Sequence, residues 1–257
     1  AIATRSTSVW DYNEEPVIQR SAIMEKGKQI YEGKAKILYE TESPDLVIQY
    51  FKDDATAFNA QKRGTIQQKG IFNNKISSRI FEYLKSKGVP THYVKTLSDR
   101  EMLVKRVEIV PIEVIIRNIA AGSLCKLLGL QEGLKLKMPI LDFCYKKDAL
   151  NDPLVSEYHV RALGWATDRE VADIKKYTFK INELMKKFFL NINLELVDFK
   201  LEFGRYKGKI ILADEISPDT CRLWEVGTGK KLDKDRFRKD LGNVEEAYQE
   251  VFSRVTK

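Results

Sequence analysis

The chain has 257 residues and 43% hydrophobic content, enough for one large domain or two lobes around a substantial core. No run reaches the ~18 apolar residues that span a bilayer, and the most apolar stretch, Val110 to Leu124, is broken by Glu113, Arg117 and Asn118, so no membrane role is expected. A formal charge of +7 admits a nucleic-acid surface or a pocket for anionic small molecules; the basic residues are scattered among acidic ones, as in Lys234-Asp-Arg236, without interleaved aromatics, which favours small molecules. Cys125, Cys144 and Cys221 form no Cys-x-x-Cys pair, and His92 and His159 lack ligand spacing, so zinc is excluded and a reduced cytoplasm fits.

In chain order, residues 1–23 show no sustained periodicity and no apolar signal segment, and read as a tag or disordered leader before Met24. Residues 24–108 are expected to form a first lobe and 109–257 a second, without internal repeats. Gln29 to Thr41 and Leu46 to Phe51 read as two strands joined by the turn Glu42-Ser-Pro-Asp45. Ile71, Phe72, Ile76, Ile80, Phe81 and Leu84 have helical spacing over Lys69 to Lys87, and Gly88 is placed to end that helix. Strands follow at Thr91 to Leu97 and Glu101 to Lys105, giving an antiparallel first lobe with one helix, and then a linking strand at Val110 to Ile119. Thr167-Asp-Arg-Glu170 is a capping box that opens a long helix to Phe189, with Val171, Ile174, Tyr177, Ile181, Leu184 and Met185 on its buried face. A last helix is expected from about Val244 to Val255.

The segment Leu196-Val-Asp-Phe-Lys-Leu-Glu-Phe-Gly204 carries the most information. Strand alternation sends Val197, Phe199, Leu201 and Phe203 to one face and Asp198, Lys200 and Glu202 to the other. Three charges together on one side of a strongly apolar strand read as a site. A three-residue loop at Tyr206-Lys-Gly208 would set Arg205 opposite Lys209 and Lys200 opposite Asp214, with Glu202 diagonal to Asp214 at ~7–8 Å, close enough for both carboxylates to reach one ion. A two-residue turn would instead send Asp214 to the apolar face. Elsewhere, Lys34 and Lys36 sit two apart on a predicted strand and share a face beside Gly33. The run Arg117-Asn-Ile-Ala-Ala-Gly-Ser123 leads from an apolar strand into a helix that Gly129 can close; its N-terminus, the Arg117 fork and the Ser123 hydroxyl suit a phosphate or carboxylate.

That segment and Leu212-Ala-Asp-Glu-Ile-Ser-Pro-Asp-Thr-Cys-Arg-Leu-Trp224 closely resemble the signatures of the SAICAR synthetase family. Further matches run in the same order: Tyr31-Glu-Gly-Lys-Ala-Lys36, Lys69-Gly-Ile-Phe-Asn-Asn74, Val110 to Ser123, Asp152-Pro-Leu154 and Asp233-Lys-Asp-Arg-Phe-Arg238. The resemblance implies a two-lobed α+β fold, with an antiparallel-sheet N-terminal nucleotide-binding lobe and a larger α/β C-terminal lobe. It implies ATP and Mg2+, with Lys34 and Lys36 covering the ATP phosphates, and Lys105 and Glu113 as candidates near an adenine that Val104, Val107 and Ile109 would sandwich. Glu202 and Asp214 would hold magnesium against ATP, and Lys200 and Asp198 would act in catalysis, Lys200 on developing charge and Asp198 on the substrate amine or on Lys200. Arg117, Ser123, Arg222, Lys234 and Arg238 would bind the ribotide substrate, with Lys146 and Asp152 near the substrate carboxylate or aspartate.

The implied reaction joins L-aspartate to carboxyaminoimidazole ribotide at the expense of ATP. The implied assembly is a homodimer, with no nucleic-acid or membrane partner. A small-molecule kinase using the same ATP site is the enzymatic alternative and a basic RNA-binding protein the non-enzymatic one, although no Gly-Phe-rich RNA motif is present.

Overall fold

The computed structural model describes residues 25–57 and 61–257. The expected leader, residues 1–23, lies outside them. Strand β1 (Gln29–Glu32) pairs antiparallel with β2 (Lys36–Glu40), so the single strand expected over Gln29 to Thr41 is a hairpin. The Gly33 N–H donates to the Lys36 carbonyl at 2.8 Å and closes its turn. β3 (Leu46–Phe51) follows across the expected proline turn, where the Leu46 N–H donates to Ser43. A separate ribbon of β4 (Asp54–Ala57) and β5 (Lys62–Thr65) precedes α1 (Lys69–Ser86), and β6 (Tyr93–Thr96) and β7 (Glu101–Lys105) complete a sheet of order β1-β2-β3-β7-β6. α1 buries Phe72, Ile76, Ile80, Phe81 and Leu84 and ends where the Lys87 and Gly88 N–H groups return to the Leu84 and Lys85 carbonyls.

β8 (Glu108–Ile119) enters the second lobe, followed by α2 (Ser123–Leu128), β9 (Lys135–Tyr145), β10 (Leu154–Val155), α3 (Glu157–Ala162) and α4 (Asp168–Leu190). Then come β11 (Leu194–Tyr206), β12 (Lys209–Ala213), β13 (Cys221–Glu225), α5 (Asp235–Arg238) and α6 (Val244–Val255). The larger sheet runs β10-β9-β8-β11-β12, with β13 paired to β11, and all its pairings are antiparallel. α4 opens on the expected box, Thr167 Oγ1 accepting from the Glu170 N–H and Glu170 from the Thr167 N–H, and its Val171, Ile174, Ile181 and Met185 are buried with Tyr177 and Leu184 packed beside them.

The main core lies between the larger sheet and the helices. Val110, Ile112, Val114 and Ile116 of β8 meet Phe199, Leu201 and Phe203 of β11 there, each side chain contributing about 2 kcal/mol by burial. The opposite faces of the same two strands are therefore charged and in register, Asp198 opposite Arg117 and Glu202 opposite Glu113. Val197 departs from the expected face: the pairing with β13 slips between Leu196 and Asp198, and Val197 packs with Ile119, Ala121 and Trp224 in a separate cluster.

The β11–β12 register also differs from expectation. Tyr206 pairs with Lys209, so the loop is the two-residue turn Lys207-Gly208, with φ of 48° and 74°. These left-handed angles fit the right-handed twist of a tight hairpin. Arg205 is thus opposite Ile210, and Ala213 is opposite Glu202. Continued extension would turn Asp214 toward the core, but Asp214 leaves the strand at φ 63° and its carboxylate swings back to the charged face. The two lobes join at this corner. Segment 90–92 runs alongside β12, the Leu212 N–H donating to Pro90 and the His92 N–H to Leu212 at 2.9 and 2.8 Å.

Candidate active site

Three linked charged groups lie on and beside the polar face of β8 and β11. In the first, the Lys200 ammonium lies 2.6 Å from Glu202, 2.9 Å from Glu113 and 3.7 Å from Asp214. Lys146, just past β9, donates to both Glu202 oxygens at 2.8 Å. Lys36, at the start of β2, bonds Asp214 and lies 3.0 Å from Glu215. Burial disfavours both ammoniums, but Glu202, Asp214 and Glu113 lift the Lys200 pKa well above the ordinary lysine value, and Asp214 and Glu215 lift that of Lys36. Burial likewise opposes the Asp214 charge, yet Lys36, Lys200 and Lys146 hold its carboxyl below the usual range. Lys36 and Lys200 are therefore cationic at neutral pH, poised for anionic groups. Lys34 does not share their face as expected: it sits in the β1–β2 turn and pairs with exposed Asp148 at 2.7 Å.

The second group contains the arginines. Arg117, 4% exposed, donates from Nε to Asp142 at 2.7 Å, from Nη2 to Ser123 Oγ at 3.2 Å and from Nη1 to Asp198 at 3.4 Å. Arg222 Nη1 reaches both Asp198 oxygens at 3.0 and 2.8 Å, and its Nε reaches Asp235, which also takes a bond from Arg238. Gly122 makes this possible: a Cβ there would stand 2.4 Å from the Arg222 guanidinium, and φ is 56°. Asp198, buried, is pushed up by desolvation against the pull of both arginines.

The third group holds the turn after β12. Lys69, fully buried at the start of α1, bonds Asp219 at 2.7 Å; the Tyr248 hydroxyl donates to the other Asp219 oxygen at 2.6 Å, and Lys234 stands 3.9 Å away. One and two helical turns on, Asn73 and Ser77 continue the stripe, Ser77 donating to the Ile216 carbonyl at 3.0 Å.

Among the expected residues, Lys36, Glu113, Lys146, Lys200, Glu202 and Asp214 thus come together, as do Arg117, Ser123, Asp198, Arg222 and Arg238. Lys234 faces the third group. Lys105 stands apart, donating to the Thr91 carbonyl and lying over the Tyr206 ring, and Asp152 accepts from its own loop at the Lys147 N–H. Val104 is buried in the main core, so of the three side chains expected around adenine only the half-buried Val107 and Ile109 are accessible. Asp142, Glu215, Asp219 and Asp235 were not singled out, nor was Lys69. Lys69, Glu215, Asp219 and Asp235 lie within the segments that resemble the family signatures, and the buried polar stripe Lys69, Asn73, Ser77 on α1 is a second readable signal for Lys69.

Among the described residues no three acidic, histidine or cysteine side chains form a ready-made metal cage. The donors beside Lys200 are nonetheless carboxylate oxygens around a position that already holds positive charge. That chemistry fits a hard cation which takes two protein carboxylates and completes its shell with water and phosphate oxygens. A hollow of about 290 Å3 lies elsewhere, between β8, β9, α4 and the start of β11, and none of these charged side chains lines it.

An antiparallel α+β molecule of two lobes, with lysines, carboxylates and arginines gathered on one sheet face, defines an enzyme for several anionic substrates. The chain belongs to the SAICAR synthetase family, whose model it matches over residues 29–255. A relative from Caldanaerobacter subterraneus subsp. tengcongensis, a phosphoribosylaminoimidazole-succinocarboxamide synthase, is 61% identical over 90% of this chain and 99% of its own length. The crystal structure of the synthase from Ehrlichia chaffeensis superposes with a TM-score of 0.88 at 50% identity, covering 89% of this chain and 98% of that one. A SAICAR synthetase in complex with ADP has a TM-score of 0.86 at 44% identity, over 88% and 97%.

Proposed function

We propose that this chain is an ATP-dependent carbon–nitrogen ligase of purine biosynthesis. It joins L-aspartate to 5-amino-1-(5-phosphoribosyl)imidazole-4-carboxylate and releases SAICAR, ADP and phosphate. The observation that carries this reading is the juxtaposition, on one sheet face, of a lysine–carboxylate group and an arginine–serine group, in a family whose relatives carry the synthase name and include an ADP complex.

A carboxylate is a poor acylating agent because its leaving group would be oxide or hydroxide. Phosphoryl transfer from ATP gives it a better one, and the aspartate amine then attacks the acyl phosphate without a covalent enzyme intermediate. Lys36 neutralises the nucleotide phosphates and Lys200 the transferred phosphoryl group or the accepting carboxylate. Glu202 and Asp214 would hold Mg2+, which when bound supplies charge neutralisation at the phosphates. Arg117, Ser123, Arg222 and Arg238 receive the ribotide phosphate; the planar guanidinium forks exchange part of their bonds to Asp198 and Asp235 for bonds to substrate. Lys146 lies at the meeting of the two halves, where the acceptor carboxylate must sit. Residues 24–108 supply the nucleotide side and 109–257 the substrate and metal side. A cytoplasmic homodimer belongs to the same reading.

An assay of ADP formation with each substrate omitted in turn tests it. Stoichiometric ADP and SAICAR are expected only when ATP, ribotide and aspartate are all present. ADP formed at full rate without aspartate would make the protein a kinase instead.

A further inference from the structure

On β3, Val47 and Phe51 point into the main core while Leu46 and Ile48 face a small outer cluster. Gln49 shares the face of Val47 and Phe51 and is 4% exposed, so alternation would place an apolar residue there. Burying an amide costs free energy unless it is bonded. Its Nε2 donates to the Asp214 carbonyl at 3.3 Å, across the boundary between the two lobes. Asp214 is the residue whose left-handed backbone, φ 63°, returns its carboxylate to Lys36 and Lys200. That conformation costs a non-glycine residue of order 1 kcal/mol and persists where neighbours hold it. Ala213 on one side is locked into the ladder with Glu202, while the carbonyl on the other side has left the sheet.

We propose that Gln49 is a positioning residue for nucleotide–magnesium binding: its amide clamps the Asp214 carbonyl and so aims the Asp214 carboxylate out of the core. The inference rests on the reading of Asp214 as a magnesium-binding carboxylate. Gln49 belongs to the first sheet and Asp214 to the second, so the clamp makes competence for the metal depend on how the lobes are docked.

The test is calorimetric titration of the full chain with ADP, with Mg2+ present and with EDTA. Gln49→Met keeps the volume and removes the donor. It should fold with an unchanged or higher thermal midpoint, bind ADP in EDTA as the wild type does, and lose about fivefold of the affinity that Mg2+ adds, the scale of one net hydrogen bond. If methionine fails to fold, Gln49→Leu carries the same comparison. Asp214→Asn should abolish the Mg2+-dependent gain, and adding Gln49→Met to it should change nothing further, because the clamp acts only through that carboxylate. A full Mg2+-dependent gain in Gln49→Met, with that gain lost in Asp214→Asn, would overturn the clamp alone. A gain that survives Asp214→Asn would overturn the assignment of Asp214 and the clamp with it.

Discussion

Glu202 is the residue on which the first charged group converges, since both of its oxygens meet Lys146 and one also meets Lys200. Glu202→Gln keeps the shape and removes the charge, and turnover should fall by at least about 100-fold, the scale of losing a preorganised electrostatic contact. Circular dichroism should show the fold retained, because Phe199, Leu201 and Phe203 still pack behind it. Near-wild-type turnover at limiting Mg2+ would remove Glu202 from the metal site. Arg117 makes a second test. Its three donor groups reach Asp142, Asp198 and Ser123, a fork that a lysine cannot reproduce. Arg117→Lys should raise the KM for ribotide about tenfold, one lost charge-assisted bond, with the KM for ATP nearly unchanged. A selective rise in the KM for ATP would place Arg117 in the wrong half of the site. Alternation alone made Asp198, Lys200 and Glu202 legible as one polar face. It could not reveal Glu215 or Asp219, whose orientation depends on a turn held by Ser77, Lys69 and Tyr248 from distant helices.

The signature hairpin shows where local reasoning stops. A one-residue change in loop length inverts a strand, and Asp214 was expected on the charged face by way of a longer loop. The tight turn inverts the strand, and a left-handed residue inverts it back. Turn residues did not announce this because Lys207 is an unusual occupant of a left-handed position. Lys207→Asn should therefore stabilise the protein by about 0.5 kcal/mol in urea titration without changing turnover. Gly208→Val should destabilise by about 1–2 kcal/mol, since a β-branched residue resists φ 74°. Equal stability of the valine variant would contradict the turn. The α4 N-terminus was fully readable, and its Glu170 does more than cap: it also accepts from Arg205 at 2.5 and 3.2 Å, tying the helix to β11. Those bonds from Arg205 hold the Glu170 carboxyl down at about 2. The stabilisation is complete above the unfolded value near 4.5 and is lost as pH falls from there toward 2, so Glu170→Gln should flatten that part of the stability curve.

At the scale of the whole molecule, two buried groups oppose each other near neutrality. Burial and the neighbouring Asp235 raise Asp233 to about 7, so between its unfolded value near 3.8 and pH 7 the native state keeps a proton that the unfolded chain has released, and stability falls as pH rises. Burial depresses His92 to about 3, so between 3 and its unfolded 6.5 the unfolded chain holds the extra proton, and stability rises with pH. The two slopes largely cancel between about pH 4 and 6.5 in the wild type. In His92→Gln the thermal midpoint should instead decline across that window; a flat curve would contradict the burial of Asp233 as an acid. Helices α1, α4 and α6 and strands β3 and β7 were legible because each rests on local periodicity; the β1–β2 hairpin and the order of the sheets were not. The docking of segment 90–92 along β12 was not, since it depends on backbone bonds between distant strands. That docking brings Lys36 of the first sheet to Asp214 beside β12, and in the proposed reaction ATP activates the ribotide carboxylate there. Turnover with ribotide whose carboxylate carries oxygen-18, followed by mass analysis of the phosphate, reads that step directly. One labelled oxygen in each phosphate, with ADP release dependent on aspartate, is the predicted result. Unlabelled phosphate alongside SAICAR formation would contradict it.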